Sequence, residues 1–445
     1  MILLKRTPSY VFALGLGGSV IFWNFLDIDM WAKIIGIVLL GIFFIYKNIF
    51  PLKNSQNLPS KIIALARGNE LLLIFVICAT LQTAAHIYLL LAMPDLLFWP
   101  AWVGSIVLNL LLLMIILINS LIRLFVASRQ LSLIQRLLII FLWWVPIANF
   151  AVFWVIYKTT RAEYFVESAR FLRNKDRKNL RVCETKYPIL MVHGIFFRDW
   201  EVFNYWGRIP RELENNGAKI FYGNQSSSSS IEDSAKEIKK RILEITAQEK
   251  CEKVNIIAHS KGGLDARYAI SCLGMEKYVA SLTTINTPHH GCRFARKALD
   301  NIPENMVGFV SKKYDKLFKK LGDNKVDFFR GVSELTDIEC AKLNKKMVDQ
   351  KNVYYQSIGS KMHSAKSAAF PLNLGYKIIQ PIDGDNDGLV AVSSMKWEKF
   401  RLIKPVGKRG ISHGDMIDLT RKDIKGFDVR EFYVDIVRGL KKKGF

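Results

Sequence analysis

Ionisable side chains are spread so unevenly along this chain that no single solvent suits all of it. Residues 1–157 carry ten Lys or Arg and four Asp or Glu, whereas residues 158–445 carry 53 and 35. The first segment is roughly 9% charged and the second roughly 31%, where an ordinary soluble domain has about 25%. The split excludes a wholly soluble protein, a disordered one and one embedded throughout in a bilayer. The 445 residues therefore read as a membrane domain over 1–157, a basic juxtamembrane linker over 158–186 and a water-facing domain over 187–445. That last segment is long enough to bury a substantial core.

A bilayer core takes about 20 apolar helical residues. Runs of that order cover residues 10–26, 31–46, 71–91, 102–121 and 137–157, the last interrupted by Pro146, so four to five hydrophobic helices are expected. Lys and Arg collect in short cytoplasmic loops. By that rule Lys5, Arg6, Lys47, Lys53, Lys61, Arg67, Arg123, Arg129 and Arg136 mark inner segments, and Asp27, Asp29 and Asp95 outer ones. The fifth run breaks the alternation, because residues 158–181 follow it with eight basic and three acidic side chains. If that run crosses, the large domain lies outside. If residues 144–149 turn it back as a re-entrant hairpin, the domain lies inside, and this reading is favoured. The expected location is thus the cell membrane, multi-pass, with the large domain cytoplasmic. Residues 158–181 read either as a collar on anionic headgroups or as a solvated linker helix. The net charge of +24 comes with no nucleic-acid-binding motif, so no nucleic-acid partner is expected. The six cysteines show no Cys-x-x-Cys spacing, which argues against a disulfide framework or a cysteine metal site.

From Tyr187 onward, short apolar runs alternate with helical stretches. Strands are expected at 188–192, 218–222, 254–257, 282–285 and 353–358, and helices at 231–247 and 428–440. Strands separated by helices imply a mostly parallel sheet covered on both faces.

The third strand runs into Ala258-His259-Ser260-Lys261-Gly262-Gly263, followed by a helix. Strand, sharp turn and helix form the setting of a nucleophile elbow, which needs small residues two positions either side of the serine. Ala258 and Gly262 meet that need. A serine hydroxyl is a weak nucleophile without a base, and the base needs an orienting carboxylate. At such an elbow the partners follow in the order Ser, Asp or Glu, His. His413, in the Gly-rich loop Gly410-Ile-Ser-His-Gly-Asp before the last helix, is the candidate base. His289, His290 and His363 lack that context. Asp387 is the candidate acid, since Gly388-Leu-Val follows it as a turn, with Asp383 and Asp385 as alternatives. The developing oxyanion needs preset backbone donors. The N–H of Lys261 is one, and the N–H of Ile195, in His193-Gly194-Ile195 after the first strand, is the other.

Five segments occur in order: His193-Gly-Ile, Tyr-Trp-Gly-Arg-Ile-Pro at 205–210, the 254–263 strand and elbow, Thr-Ile-Asn-Thr-Pro-His-His-Gly at 284–291, and Asn-Asp-Gly-Leu-Val at 386–390. Together they resemble the bacterial triacylglycerol lipases of the secreted, lid-bearing type, within the α/β-hydrolase superfamily. The resemblance covers about residues 187–440 and none of the membrane half. It implies an α/β fold, specifically an α/β-hydrolase preceded by a helical transmembrane domain, with Ser260, Asp387 and His413 as triad and Ile195 and Lys261 as oxyanion hole. No cofactor is required. Calcium is the one ion the resemblance raises: Asp415 matches one ligand position, but no carboxylate lies between Asp349 and Asp383 to supply the other.

Residues 294–335 stand where the family carries its lid. Met306, Val310, Tyr314, Leu317, Phe318 and Leu321 fall at helical spacing among lysines, a pattern suited to a lipid surface. The expected function is a membrane-anchored serine esterase or lipase acting on acylglycerols or phospholipids through an acyl-enzyme. Membrane lipids would be both substrate and anchor. The alternatives are a lipid acyltransferase with the same triad and a non-catalytic hydrolase-like binding module. Oligomeric state is not legible in the sequence.

Overall fold

The computed structural model describes residues 9–11, 15, 23, 26–49, 57–94, 98–143, 145, 148–195, 205–226, 229–300, 328–404 and 409–445. The chain divides into two compact units, Met1–Arg173 and Asn174–Phe445. Most of the expected first run at 10–26 and the core of the lid-like insertion, 301–327, lie outside the described residues.

In the first unit, α1 (Met30–Ile49), α2 (Ser60–Ala92) and α3 (Trp99–Ala127) are long and apolar enough to cross a membrane. Apolar side chains such as Ile35, Leu39, Leu110 and Leu111 face outward, as lipid-facing positions would. Several polar groups turn inward and find partners, as a site away from water requires. Arg67 pairs with Glu70 at 2.5 Å and donates to the Tyr10 hydroxyl at 2.6 Å. Asn119 donates to Asn48 Oδ1 at 2.9 Å, and Ser120 donates to the Gly68 carbonyl at 2.8 Å.

The fifth apolar run is two helices, α4 (Leu133–Leu142) and α5 (Ala148–Arg177). Ser132 starts α4 through a reciprocal capping box with Gln135. Ten residues at 1.5 Å each reach about 15 Å, half of a bilayer core of about 30 Å. Farther along α5, Glu163 accepts from Ser128 Oγ at 2.5 Å and from Arg129 N–H at 2.8 Å. The chain has thus returned to the end of α3 it left. No Pro or Gly interrupts residues 148–180, so α5 continues to Arg177 and the expected linker is largely the extension of this helix. The compact units accordingly meet after Arg173, past the expected boundary at 157.

The second unit carries a six-stranded sheet in the order β2-β1-β3-β4-β5-β6, with every pairing parallel. Its strands are β1 (Ile189–Val192), β2 (Ile220–Tyr222), β3 (Val254–His259), β4 (Val279–Ile285), β5 (Tyr354–Gly359) and β6 (Arg401–Leu402). Five follow the sequence pattern, and the two-residue β6 is too short to leave one. Side chains alternate between faces, so Ile189 and Met191 enter one core and Leu190 and Val192 the other. The first core is closed by α6 (Ile209–Asn215) and by α14 (Val429–Lys442). The second is closed by α7 (Ile231–Glu249) and by α8 (Lys261–Cys272). The remaining helices are α9 (Arg293–Asp300), α10 (Phe328–Ser333), α11 (Asp337–Lys346), α12 (Leu372–Asp383) and α13 (Val392–Met395). This is the mostly parallel, doubly covered α/β sheet expected of an α/β-hydrolase. Strand order reverses between β1 and β3, and such a switch leaves a crevice beyond the carboxyl ends of the two strands.

Candidate active site

Ser260 sits in that crevice, between β3 and α8. Its backbone has φ 56° and ψ −134°, a strained conformation for a residue with a Cβ. The turn is held from several sides. Ser260 N–H donates to the Ile285 carbonyl at 2.9 Å. The Ser260 carbonyl accepts from Thr287 Oγ1 at 2.8 Å and from Gly263 N–H at 3.1 Å. Gly262 has to lack a side chain, since a Cβ there would lie 2.3 Å from the His193 carbonyl oxygen.

Asp387 and His413 meet. Asp387 Oδ2 lies 2.6 Å from His413 Nδ1, and His413 N–H donates to the Asp387 carbonyl at 2.9 Å. The carboxylate is fully buried and its remaining lone pairs are filled. Asn286 Nδ2 donates to Oδ2 at 2.6 Å, and the N–H groups of Leu389 and Val390 donate to Oδ1 at 2.9 and 2.7 Å. Asn286, just past β4, stands inside the 284–291 segment read from the sequence, but nothing there indicated that it supports the carboxylate.

The alternative acids lie elsewhere. Asp383 pairs with Arg293 at 2.6 Å, and Asp385 with Lys361 at 2.6 Å. His289 is buried between Thr284 Oγ1 (2.9 Å), Arg267 and the Trp397 ring. His290 is exposed and contacts the Lys396 carbonyl, and His363 is exposed. Ser260 Oγ makes no hydrogen bond to His413 among the described residues. Such contacts are often long without substrate and tighten when it binds.

The candidate oxyanion donors flank the serine. Lys261 is the first residue of α8, so its N–H has no acceptor within the helix. Ile195 follows Gly194, and a Cβ on Gly194 would stand 2.7 Å from Ser260 Cβ. The loop carrying Ile195 is tied down by Tyr205, whose hydroxyl accepts from Gly194 N–H at 3.1 Å and lies 2.7 Å from His259 Nδ1. The His259 ring is 4.4 Å from that of His413. Burial, and then the neighbouring His413, push His259 well below the usual histidine range, so it stays neutral. Tyr205 and His259 stood inside the motifs read from the sequence, but nothing there indicated that they bond to each other.

Behind the elbow, the Lys261 side chain is buried, 2.7 Å from Asp265 Oδ1 and 3.1 Å from Ser234 Oγ. Burial pushes the Asp265 carboxyl up to about 7, against the opposing pull of Lys261.

Asp415 does not fit a calcium ion. Arg409 Nη2 lies 3.0 Å from both of its oxygens, and Ser412 donates to Oδ2 from its N–H at 2.9 Å and its hydroxyl at 2.7 Å. A guanidinium already neutralises this carboxylate. Among the described residues, no group of three or more His, Cys, Asp or Glu is arranged to hold a metal.

Residues 189–319 match the family described as "Putative serine esterase (DUF676)". The chain is 34% identical over 132 residues to a triacylglycerol lipase of Pseudarthrobacter phenanthrenivorans, covering 28% of this chain and 41% of that one. It is 28% identical over 262 residues to triacylglycerol lipase 2 of Saccharomyces cerevisiae, covering 54% of this chain and 74% of that one. The chain thus spans about two fifths of the length of the bacterial relative. The solved Staphylococcus hyicus lipase overlaps 58% of this chain and 98% of its own, at 19% identity and a TM-score of 0.45. The family match and these curated relatives show that the second unit is similar to serine esterases and triacylglycerol lipases.

Proposed function

We propose that this protein is a membrane-anchored serine hydrolase that cleaves carboxylic esters of lipids, acylglycerols or phospholipids. The observation that carries the reading is the buried Asp387–His413 pair at 2.6 Å, on the same crevice as a serine held at positive φ. Ser260 Oγ attacks the ester carbonyl and its proton passes to His413 Nε2. Asp387 fixes the imidazole through Nδ1 and stabilises its charged form. The oxyanion is held by the N–H groups of Ile195 and Lys261, each such donor being worth roughly 10²–10³-fold in rate. The tetrahedral species collapses, the C–O bond breaks and His413 returns the proton to the leaving alcohol. Water, deprotonated by His413, then releases the acid and regenerates Ser260.

Fluorophosphonate labelling of isolated membranes tests this, with wild type compared to Ser260→Ala in detergent or lipid. Labelling that disappears in the variant is the expected result. A folded wild type that never labels would overturn the enzyme reading and favour a binding module. Release of free acid, rather than transfer to an added alcohol, separates hydrolysis from acyl transfer.

The same reading puts the hydrolase unit on the cytoplasmic side. What supports it is the shortness of α4 together with the Glu163 bonds to Ser128 and Arg129, which suit a re-entrant hairpin returning to the basic end of α3. Cys272, exposed in the hydrolase unit, reports this. A membrane-impermeant maleimide should label it in inverted vesicles and spare it in intact spheroplasts.

A further inference from the structure

One helix beside the catalytic pair exposes an apolar edge to water. A surface helix ordinarily turns its polar side to solvent. α12 shows Lys377 and Gln380 to solvent and buries Ile379, yet it leaves further apolar side chains outside. Phe370, just before it, is 77% exposed, and Leu374 and Ile378 on it are 49% and 47% exposed. Leu374 and Ile378, four apart, share one edge of the helix, and Phe370 adds an exposed ring just ahead of its first turn. Pro381 extends it and is exposed as well.

The inner side of α12 explains why the stripe cannot turn inward. Gly375 lies against the acid loop so tightly that a Cβ would stand 2.0 Å from the Gly388 carbonyl oxygen. A Cβ on Gly388 would in turn be 2.9 Å from the Leu372 carbonyl oxygen. Leu372 also reaches Gly414, next to His413, where Leu419 joins it. Leu419 is itself 41% exposed. Among the described residues of the second unit, eight large apolar side chains stand exposed, and these four belong to this one region. The stripe is therefore continuous with the walls that hold Asp387 and His413. Two exposed lysines, Lys366 and Lys377, fringe it.

We propose that this stripe, Phe370, Leu374 and Ile378 with Leu419, is the surface by which the hydrolase unit docks on a lipid layer containing its ester substrate. The inference rests on the lipid-ester reading of the site and assigns the face that meets the lipid. Apolar side chains enter the boundary between headgroups and acyl chains while flanking lysines meet anionic headgroups. Docking there brings the mouth beside His413 to the lipid, so an ester moves from the layer to Ser260 without crossing water.

The test uses the full-length protein in phosphatidylcholine–phosphatidylglycerol vesicles, in a Cys251→Ser, Cys272→Ser background. Phe370→Cys and, as an exposed control on α7, Leu243→Cys each carry an environment-sensitive nitrobenzoxadiazole probe. Lipids with doxyl-labelled acyl chains should quench the probe at 370 at least twofold more than the probe at 243, also when Ser260→Ala is present. That result is independent of catalysis, so its failure is distinct from failure of the esterase reading. Equal quenching at the two sites overturns the proposal. So does a probe at 370 that is shielded from water yet unquenched, which would mean that protein, from this chain or a second copy, covers the stripe. In kinetics, Phe370→Ser, Leu374→Ser, Ile378→Ser should keep hydrolysis of a water-soluble short-chain ester within twofold. The same variant should lose at least tenfold on a long-chain ester presented in vesicles. Equal losses on both substrates would refute the assignment.

Discussion

Replacing Tyr205 by Phe removes one oxygen and tests how the oxyanion loop is held. That oxygen accepts from Gly194 N–H at 3.1 Å and lies 2.7 Å from His259 Nδ1. Both partners are buried, so water cannot replace it without opening the site. An unmet buried donor or acceptor costs about 1–3 kcal/mol, so two cost roughly 2–6 kcal/mol, with the low end expected if the loop relaxes. The catalytic loss has a separate ceiling, because removing an oxyanion donor outright costs roughly 10²–10³-fold. Tyr205→Phe leaves the Ile195 N–H in the chain and only loosens it. The expected fall in kcat is therefore between about tenfold and a hundredfold, with about 1.4 kcal/mol for each tenfold. KM for a soluble p-nitrophenyl ester should stay within twofold, because the ground-state ester does not yet use the donor fully. The same substitution should cost less in a His259→Leu background, where one of the two bonds is already gone. Steady-state kinetics and thermal unfolding in detergent read the two effects separately. A variant that loses stability yet keeps kcat within twofold would refute the view that Tyr205 positions the loop.

Asp387→Asn should leave the fold intact and lower kcat roughly 10⁴-fold, because the amide favours the wrong imidazole tautomer; a loss below about tenfold would count against His413 as the base. Lys261→Met strands Asp265 in the interior beside the elbow, and breaking such a buried pair costs about 3–5 kcal/mol, readable as a large drop in Tm. Asp265 also carries a pH signature. Its folded value of about 7 exceeds the unfolded value of about 3.9, so its contribution to stability is full below about pH 4 and is lost as pH rises through about 7. Asp265→Asn should flatten that part of the Tm–pH curve, and parallel curves would contradict the assignment. Arg409→Gln should lower kcat about tenfold by freeing Asp415 and the His413 loop, with partial rescue by millimolar guanidinium, while EDTA should leave the wild-type rate unchanged.

The parts of this molecule that were legible in the sequence are those fixed by local rules. A buried parallel strand must be apolar on both faces, so residues 188–192 and 254–257 announced β1 and β3. The elbow must have small residues beside its serine, so Ala258 and Gly262 marked it, and the 2.3 Å approach to the His193 carbonyl is the physical reason. His413 was legible because, downstream of the elbow serine, it stands in a Gly-rich loop before the last helix, where the base of such an arrangement belongs. Among Asp383, Asp385 and Asp387, local pattern favours the last without excluding the others, since all three lie within five residues. Only the three-dimensional partners, Arg293, Lys361 and His413 in turn, separate them.

What stayed hidden depends on bonds between residues far apart in the chain. Asn286 lies 101 positions from the carboxylate it supports, Tyr205 lies 54 from His259, and Glu163 lies 35 from Ser128. None of these side chains breaks a local rule, so no pattern flags them. The last pair matters most for the apolar first unit. Hydropathy measures how apolar a run is, and residues 137–157 are apolar enough to cross. Whether they do depends on where the chain goes afterwards, and the buried Glu163 on α5, accepting from the end of α3, supports the re-entrant course proposed above. The exposed stripe on α12 follows the same logic from the other side. Leu372, Leu374, Ile378 and Ile379 lie on one short helix, and the Gly375–Gly388 approach fixes which of its faces points in. A hydrophobic pattern states that a helix has an apolar side, and only packing states whether that side is the core or the surface.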